Sequence, residues 1–207
     1  MTVCPEPEKI PVGISSCLLG EPVRYDGGHR YNACITGSLG KVFEFRAFCP
    51  ELEIGLGVPR EPIQLVGDAE TTRCVGTRDV QFDVTDRLLQ CADAQQSWHG
   101  EICGYIFKQG SPSCGVSGIR VLRDGQPEQD GAGIYAARVR HHFPDLPVAE
   151  ECLLGDVDWR GNFIERVFIY RRWQQLEKVR KRGKTQRAFY SDSPSPRPFK
   201  GEGENKG

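Results

Sequence analysis

Short apolar runs alternate along the chain with stretches whose apolar residues recur every three or four positions. The apolar runs predict strands near residues 10–16, 42–48, 102–108 and 146–150. The helical spacing predicts helices near residues 84–98 and 133–143, and a longer helix from Asn162 onward. Strands that alternate with helices indicate an α/β fold with a largely parallel sheet and helices on both faces.

The longest predicted helix carries one apolar stripe. Its members recur at spacings of three and four residues, and they are Phe163, Val167, Tyr170, Trp173 and Leu176. We expect the first half of this helix to pack on the sheet. The continuation over residues 177–182 is polar, and we expect it to emerge into solvent or to reach a partner.

Length and composition are those of a folded protein. The 207 residues, 38% of them hydrophobic, suffice for one large domain with a buried core. No stretch approaches the roughly 20 apolar residues of a membrane helix, and the first residues show no signal-peptide pattern. We therefore expect a cytoplasmic protein without membrane contact.

Charge is distributed unevenly, although the net charge is only −1. Residues 1–170 contain sixteen basic and twenty-four acidic residues, whereas residues 171–190 contain eight basic residues and one acidic residue. The pattern predicts an α/β domain over residues 9–170, a basic helical extension over 171–190, and a disordered tail over 191–207.

Nine cysteines are many for a cytoplasmic protein, and an odd number cannot pair completely into disulfides. Three of them, Cys17, Cys49 and Cys114, follow predicted strands at turns rich in glycine and proline. A single cysteine in such a place is more often a small buried apolar residue than a ligand. Because ligands bind beyond the carboxyl ends of parallel strands, however, we expect these three thiols to form one site there.

Three thiolates without a fourth suit two kinds of metal site. One is a zinc ion with an open coordination position, and the other is an iron–sulfur cluster in which one iron lacks a protein ligand. The chain contains no C-x-x-C motif, so local zinc-ribbon and ferredoxin motifs are excluded. The histidines have no ligand-like spacing to these cysteines, and we interpret all four as surface residues: His29, His99, His141 and His142.

Five separate segments resemble one known family. They read GISSCLLGEPVRYDGGHR (13–30), FCPE (48–51), GLGVPREPIQL (55–65), GTRDVQFDVT (76–85) and GYIFKQGSPSCG (104–115). Together they resemble the bacterial thiouracil desulfurases and their tRNA thiouridine relatives, and the resemblance covers about residues 9–165. It implies an α/β fold with a 4Fe-4S cluster held by three cysteines, which map by motif to Cys17, Cys49 and Cys114.

The resemblance also implies a reaction, the non-redox hydrolytic removal of sulfur from a thiolated pyrimidine such as thiouracil or thiouridine. An iron without a protein ligand is a soft Lewis acid toward the thiocarbonyl sulfur, and water attacks the carbon. Glu51 is the candidate general base. Ser111 and Ser113 are candidates for binding the base or relaying a proton; the family makes a serine of this motif catalytic, and the sequence leaves open which one.

Plainer interpretations stay open. Glu51 could instead stabilise a helix start, Ser111 and Ser113 could be ordinary turn residues, and Asp26 either contacts substrate or caps a turn. The basic segment 171–190, with aromatic residues interleaved, favours tRNA as a partner and thiolated tRNA as an alternative substrate. A second alternative is a non-catalytic zinc protein that uses the same three thiolates.

Overall fold

The predicted strands and helices are present in the computed structural model, together with further strands. The structure describes residues 8–67 and 71–191, with side chains up to residue 180. The strands are β1 Ile10–Ser15, β2 Phe43–Phe48, β3 Ile63–Gly67, β4 Thr72–Gly76, β5 Tyr105–Phe107, β6 Ile119–Arg123, β7 Gln126–Gly131 and β8 Val148–Glu150. The helices are α1 Ala33–Ser38, α2 Pro50–Glu53, α3 Thr85–Ala94, α4 Gln96–His99, α5 Ile134–His142 and α6 Val157–Ser191.

One sheet is entirely parallel and is flanked by helices, which confirms the predicted α/β fold. Its strand order is β2-β1-β5-β8, and each neighbouring pair is parallel. Strands β1 and β2 pair in register from Ile10 with Phe43 to Ser15 with Phe48. Because the two strands end at the same level, Cys17 and Cys49 leave the sheet at the same edge.

A second, mixed sheet was not predicted. Its order is β4-β3-β6-β7, with β3 and β6 parallel and both outer pairs antiparallel. The outer strand β7 reads QPEQDG and is exposed except for Gly131. An edge strand that packs no apolar face needs no apolar pattern, and proline is tolerated there because one side forms no ladder hydrogen bonds. The hydrophobic pattern therefore contained no signal for this strand.

Helix α6 starts at Val157, five residues before the predicted start. Phe163, Val167 and Tyr170 are buried, as the first half of the predicted stripe requires, whereas Trp173 and Leu176 are exposed. The contacts between residues divide the chain into two compact units, with the boundary between residues 171 and 172. None of the helices in the described ranges is long and apolar enough to cross a membrane.

Part of the predicted organisation stays a prediction. We keep as a prediction the division into an α/β domain over residues 9–170, a basic helical extension over 171–190 and a disordered tail over 191–207. Residues 192–207, which make up nearly all of the predicted tail, lie outside the described residues, as does Cys4.

One histidine departs from the predicted surface position. His99 is completely buried, and its Nε2 lies 2.7 Å from the hydroxyl of Tyr135. Burial lowers the pKa of His99 to about 4, so the ring is neutral at pH 7. The prediction was wrong because α4, which ends at His99, packs into a cluster of aromatic side chains that a polar sequence neighbourhood did not reveal.

The contact of α6 with the parallel sheet yields a stability prediction. Phe163 is 3% exposed and meets Phe43 edge to face, with ring centroids 6.1 Å apart. We expect Phe163→Ala to lower the free energy of unfolding by about 3–5 kcal/mol, measured by urea denaturation. The matched control is Phe168→Ala on the same helix, which should change it by about 0.5 kcal/mol or less because Phe168 is 50% exposed. Equal losses would contradict the placement of this helix.

Candidate active site

The carboxyl ends of the parallel strands border a cavity of about 430 Å³. All three predicted ligand residues, Cys17, Cys49 and Cys114, line it, and so do Glu51 and Ser111. Ser113 is completely buried and is not among the lining residues. The structure therefore brings the predicted cysteines together, and it separates the two candidate serines into one at the cavity wall and one behind it.

Cys17 and Cys49 reach the cavity through the first turns after β1 and β2. Cys17 belongs to the short 3-10 turn Ser16–Leu19, which ends at Gly20 in a left-handed conformation, with φ of 95°. The Cys17 carbonyl accepts the N–H of Arg30 at 2.8 Å. Cys49 is the residue before α2, and Pro50 occupies the first helical position, where its missing N–H costs no hydrogen bond.

Cys114 lies in a turn that the start of α5 holds in place. The backbone N–H groups of Ile134 and Ala136 donate to the carbonyls of Pro112 and Ser113, both at 3.1 Å. Gly133 makes this approach possible, because a Cβ atom there would lie only 2.5 Å from the Ser113 carbonyl carbon. Glycine before α5 thus has a steric role in positioning Cys114.

The three thiols are buried and electrostatically linked. Burial raises the pKa of Cys17 to about 11, with a further increase from nearby Cys49 and an opposing effect of Lys108. Burial also raises the pKa of Cys49, and burial together with Cys49 raises the pKa of Cys114. Without a metal these thiols are neutral at pH 7, whereas a bound metal cation deprotonates a coordinating thiol. The donor set is therefore suited to a group that supplies positive charge.

The two kinds of metal site place different demands on the positions of the three sulfurs. Among residues 8–67 and 71–191, no group of three His, Cys, Asp or Glu side chains is arranged to hold one metal ion. A zinc ion requires all its sulfur ligands at about 2.3 Å from one point. In an iron–sulfur cluster each thiolate binds a different iron, so the sulfurs need only surround a larger group. Three separate thiols that line one cavity are compatible with such a cluster.

Glu51 is held by two partners, Arg60 nearby in sequence and Ser113 from a distant part of the chain. Arg60 donates to Glu51 Oε2 through Nε at 3.0 Å and through Nη2 at 2.6 Å, and Ser113 Oγ donates to Oε1 at 2.6 Å. Arg60 also donates to the carbonyls of Val23 and Gly57. The Glu51 side chain is thus directed at the serine turn. A carboxylate that only stabilised the start of a helix would not need these contacts.

The two serines form a directed hydrogen-bonded pair. Their hydroxyl oxygens lie 3.0 Å apart, and Ser111 Oγ accepts the backbone N–H groups of Ser113 at 3.3 Å and Cys114 at 3.2 Å. A hydroxyl has a single proton. Because Ser113 donates its proton to Glu51, Ser111 is the donor to Ser113. A chain of hydrogen bonds therefore runs from the cavity wall through Ser113 to Glu51.

Further residues of the cavity wall were not among the predicted site residues. Lys108 follows β5 and forms an ion pair with Glu151, which follows β8 and also accepts the N–H of Gln109 at 2.6 Å. Arg24 and Tyr25, in the loop after β1, line the cavity as well. The sequence offered one indication of their role, since they follow strands or lie in a segment that resembles the family. Their side chains, however, are less distinctive than a cysteine as markers of a site.

The remaining cysteines of the described chain do not line this cavity. Cys91 is buried, and burial, Glu53 and Cys49 together raise its pKa to about 11. The others are Cys34, Cys74, Cys103 and Cys152. Their structural or incidental role stays a prediction.

Comparison with known proteins agrees with the resemblance seen in the motifs. The sequence profile described as 2-thiouracil desulfurase matches residues 12–151. This chain belongs to the 2-thiouracil desulfurase family. It is 31% identical to the uncharacterized protein YbbK of Bacillus subtilis (strain 168) over 133 residues. The aligned region covers 61% of this chain and 87% of YbbK.

A solved structure is also similar. The [4Fe-4S]-dependent thiouracil desulfidase TudS aligns with a TM-score of 0.54 at 32% sequence identity, covering 75% of this chain and 99% of TudS. This similarity and the family profile confirm the predicted family and fold. The roles of the individual site residues stay predictions.

The ion pair at the centre of this desulfurase-family site yields a second stability prediction. The side chains of Arg60 and Glu51 are only 7% and 15% exposed. We expect Arg60→Met to lower the free energy of unfolding by about 3–5 kcal/mol, because it leaves a buried carboxylate without its charged partner.

Urea denaturation measures this change, and Arg46→Met is the matched control. Arg46 pairs with Glu101 at 3.1 Å, but the two side chains are 32% and 66% exposed. Such a pair contributes about 1 kcal/mol or less. A loss for Arg60→Met no larger than that of the control would show that the buried pair is not formed.

Proposed function

We propose that this protein is an iron–sulfur-dependent desulfurase that hydrolyses the C=S bond of a thiolated pyrimidine. The observation that carries the proposal is that Cys17, Cys49 and Cys114 line one cavity together with Glu51 and Ser111. The family profile and the similarity to TudS, a [4Fe-4S]-dependent thiouracil desulfidase, support it. The cavity volume of about 430 Å³ is in the range of small-molecule sites.

The three cysteines are the residues that would hold a 4Fe-4S cluster. When bound, such a cluster supplies a soft Lewis acid, an iron without a protein ligand, toward the thiocarbonyl sulfur. Ser113 Oγ also lies 3.6 Å from Cys114 Sγ, while its proton is donated to Glu51.

The serine pair and Glu51 provide a path for the proton of the attacking water. Ser111 lies at the cavity wall, and two backbone N–H groups donate to its oxygen, which favours negative charge there. Ser111 can therefore take a proton from water as it passes its own to Ser113, which passes a proton to Glu51. Arg60 keeps the carboxylate oriented toward the serine turn through two hydrogen bonds.

The reaction balances without electron transfer. The water oxygen forms a bond to the ring carbon and the C–S bond breaks, so the thio base and water become the oxo base and hydrogen sulfide. One proton of the water passes to the product sulfur. The other passes through the serines to Glu51, which then releases it to the sulfide or to solvent. No group of the protein changes its oxidation state.

The cluster assignment is tested by removing one thiol. We expect Cys114→Ala protein, purified without oxygen, to lose both iron and sulfide release from thiouracil, because three thiolates are needed to retain the cluster. Cys103→Ala is the control, since Cys103 is buried but does not line the cavity, and it should keep both. Iron and inorganic sulfide analysis, with a thiouracil turnover assay, measures the outcome. Wild-type protein that contains zinc and shows no turnover would support the zinc alternative instead.

The proton path is tested at the serine on the cavity wall. We expect Ser111→Ala to lower kcat by about 10²–10⁴-fold with iron content unchanged, because general acid–base catalysis contributes about that much. Ser113→Ala should lower kcat as well, since it interrupts the path to Glu51. The control Ser117→Ala alters an exposed position and should leave kcat unchanged. Wild-type kcat for Ser111→Ala would remove this serine from the mechanism.

A tRNA substrate is the alternative that α6 favours. Arg172, Lys178 and Arg180 accompany the exposed ring of Trp173 on this helix, and basic and aromatic side chains together suit a nucleic acid. The same sulfide assay, run on thiouridine-containing tRNA, separates the alternatives. Turnover of tRNA that is lost in a chain ending at Tyr170, with thiouracil turnover retained, would establish the RNA function.

A further inference from the structure

The motif Arg24-Tyr25-Asp26-Gly27-Gly28 forms a closed turn at the cavity wall. Arg24 N–H donates to the Gly28 carbonyl at 3.2 Å, and Gly27 N–H donates back to the Arg24 carbonyl at 2.9 Å. Gly27 has φ of 76°, the left-handed conformation that favours glycine. Asp26 Oδ1 accepts the N–H of Gly28 at 3.0 Å, so Asp26 caps the turn.

This turn fixes the orientation of one aromatic ring. The Arg24 guanidinium lies over the ring of Tyr25, 5.2 Å from its centroid, and forms an ion pair with Asp26 at 3.4 Å. The Tyr25 carbonyl accepts the backbone N–H of Arg60 at 2.9 Å. The side chain of Arg24 and the backbone of Arg60 therefore both hold Tyr25 at this position.

Tyr25 is nevertheless open to the cavity. It is 40% exposed and lines the same cavity as Cys17 and Ser111. A large aromatic ring that is 40% exposed contributes little to the core. It offers a flat apolar surface for a flat ligand, and its contact with Arg24 reduces the entropy lost on binding.

We propose that Tyr25 is the stacking surface for the pyrimidine ring and so determines the affinity of the site for its substrate. This rests on the proposed function. The polar groups of the cavity, Ser111 and Glu51, suit the edge of a heterocycle, where its oxygen, sulfur and nitrogen atoms lie. The ring faces need an apolar partner, and a base stacked on an aromatic side chain is stabilised without regard to its edge groups.

The test compares three variants of the cluster-loaded protein with wild type. Tyr25→Leu removes the flat ring and keeps an apolar side chain, whereas Tyr25→Phe keeps the ring. Tyr31→Leu is the matched control, because Tyr31 is also exposed but does not line the cavity. Isothermal titration calorimetry with uracil, the oxo product, measures Kd without turnover, and thiouracil assays give kcat and KM.

We expect Tyr25→Leu to raise Kd for uracil and KM for thiouracil at least about fivefold, the lower end of base–aromatic stacking. Tyr25→Phe and Tyr31→Leu should stay within about twofold of wild type, and iron content should be equal in all four proteins. An unchanged uracil Kd for Tyr25→Leu would overturn the inference. Wild-type protein that binds uracil but releases no sulfide would instead refute the proposed function, so the two failures are distinguishable.

Discussion

The buried carboxylate of Glu51 joins the segments from which the site is built. A carboxylate with little solvent contact must have charged or hydrogen-bonding partners, and here they are Arg60 and Ser113. Arg60 in turn holds the loop of Val23 and Tyr25 through two backbone contacts. One ion pair therefore links the loop after β1, the helix after β2 and the turn after β5, which are the three segments that carry the cysteines.

Most of the charge in the cavity is balanced locally. Of the four cations that line it, three form ion pairs: Arg24 with Asp26, Arg60 with Glu51, and Lys108 with Glu151. The fourth, Arg30, donates to the carbonyl of His29. The cysteines contribute no charge while they are protonated, and burial keeps them so in the absence of a metal. A lining of mostly paired charges and neutral thiols suits an uncharged heterocycle. A metal bound to the thiols would neutralise the thiolate charge that its binding creates.

Membership of the 2-thiouracil desulfurase family accounts for residues 12–151, and the site lies wholly within that range. Helix α6 begins beyond it at Val157. Its first part is fastened to the parallel sheet by the buried side chains of Phe163 and Val167, with Gly104 allowing close contact. The basic continuation likewise lies outside the residues that the family profile matches.

The sequence by itself determined the parallel sheet, the main helices and the positions of Cys17, Cys49 and Cys114, because hydrophobic periodicity and motif residues are local. The second sheet and the burial of His99 were decided only by tertiary packing. So was the distinction between the two serines, since Ser113 finds its carboxylate partner 62 residues away in Glu51. Two hydroxyls two positions apart are equivalent in a turn sequence, and only the folded chain places one at the cavity and the other against a buried acid.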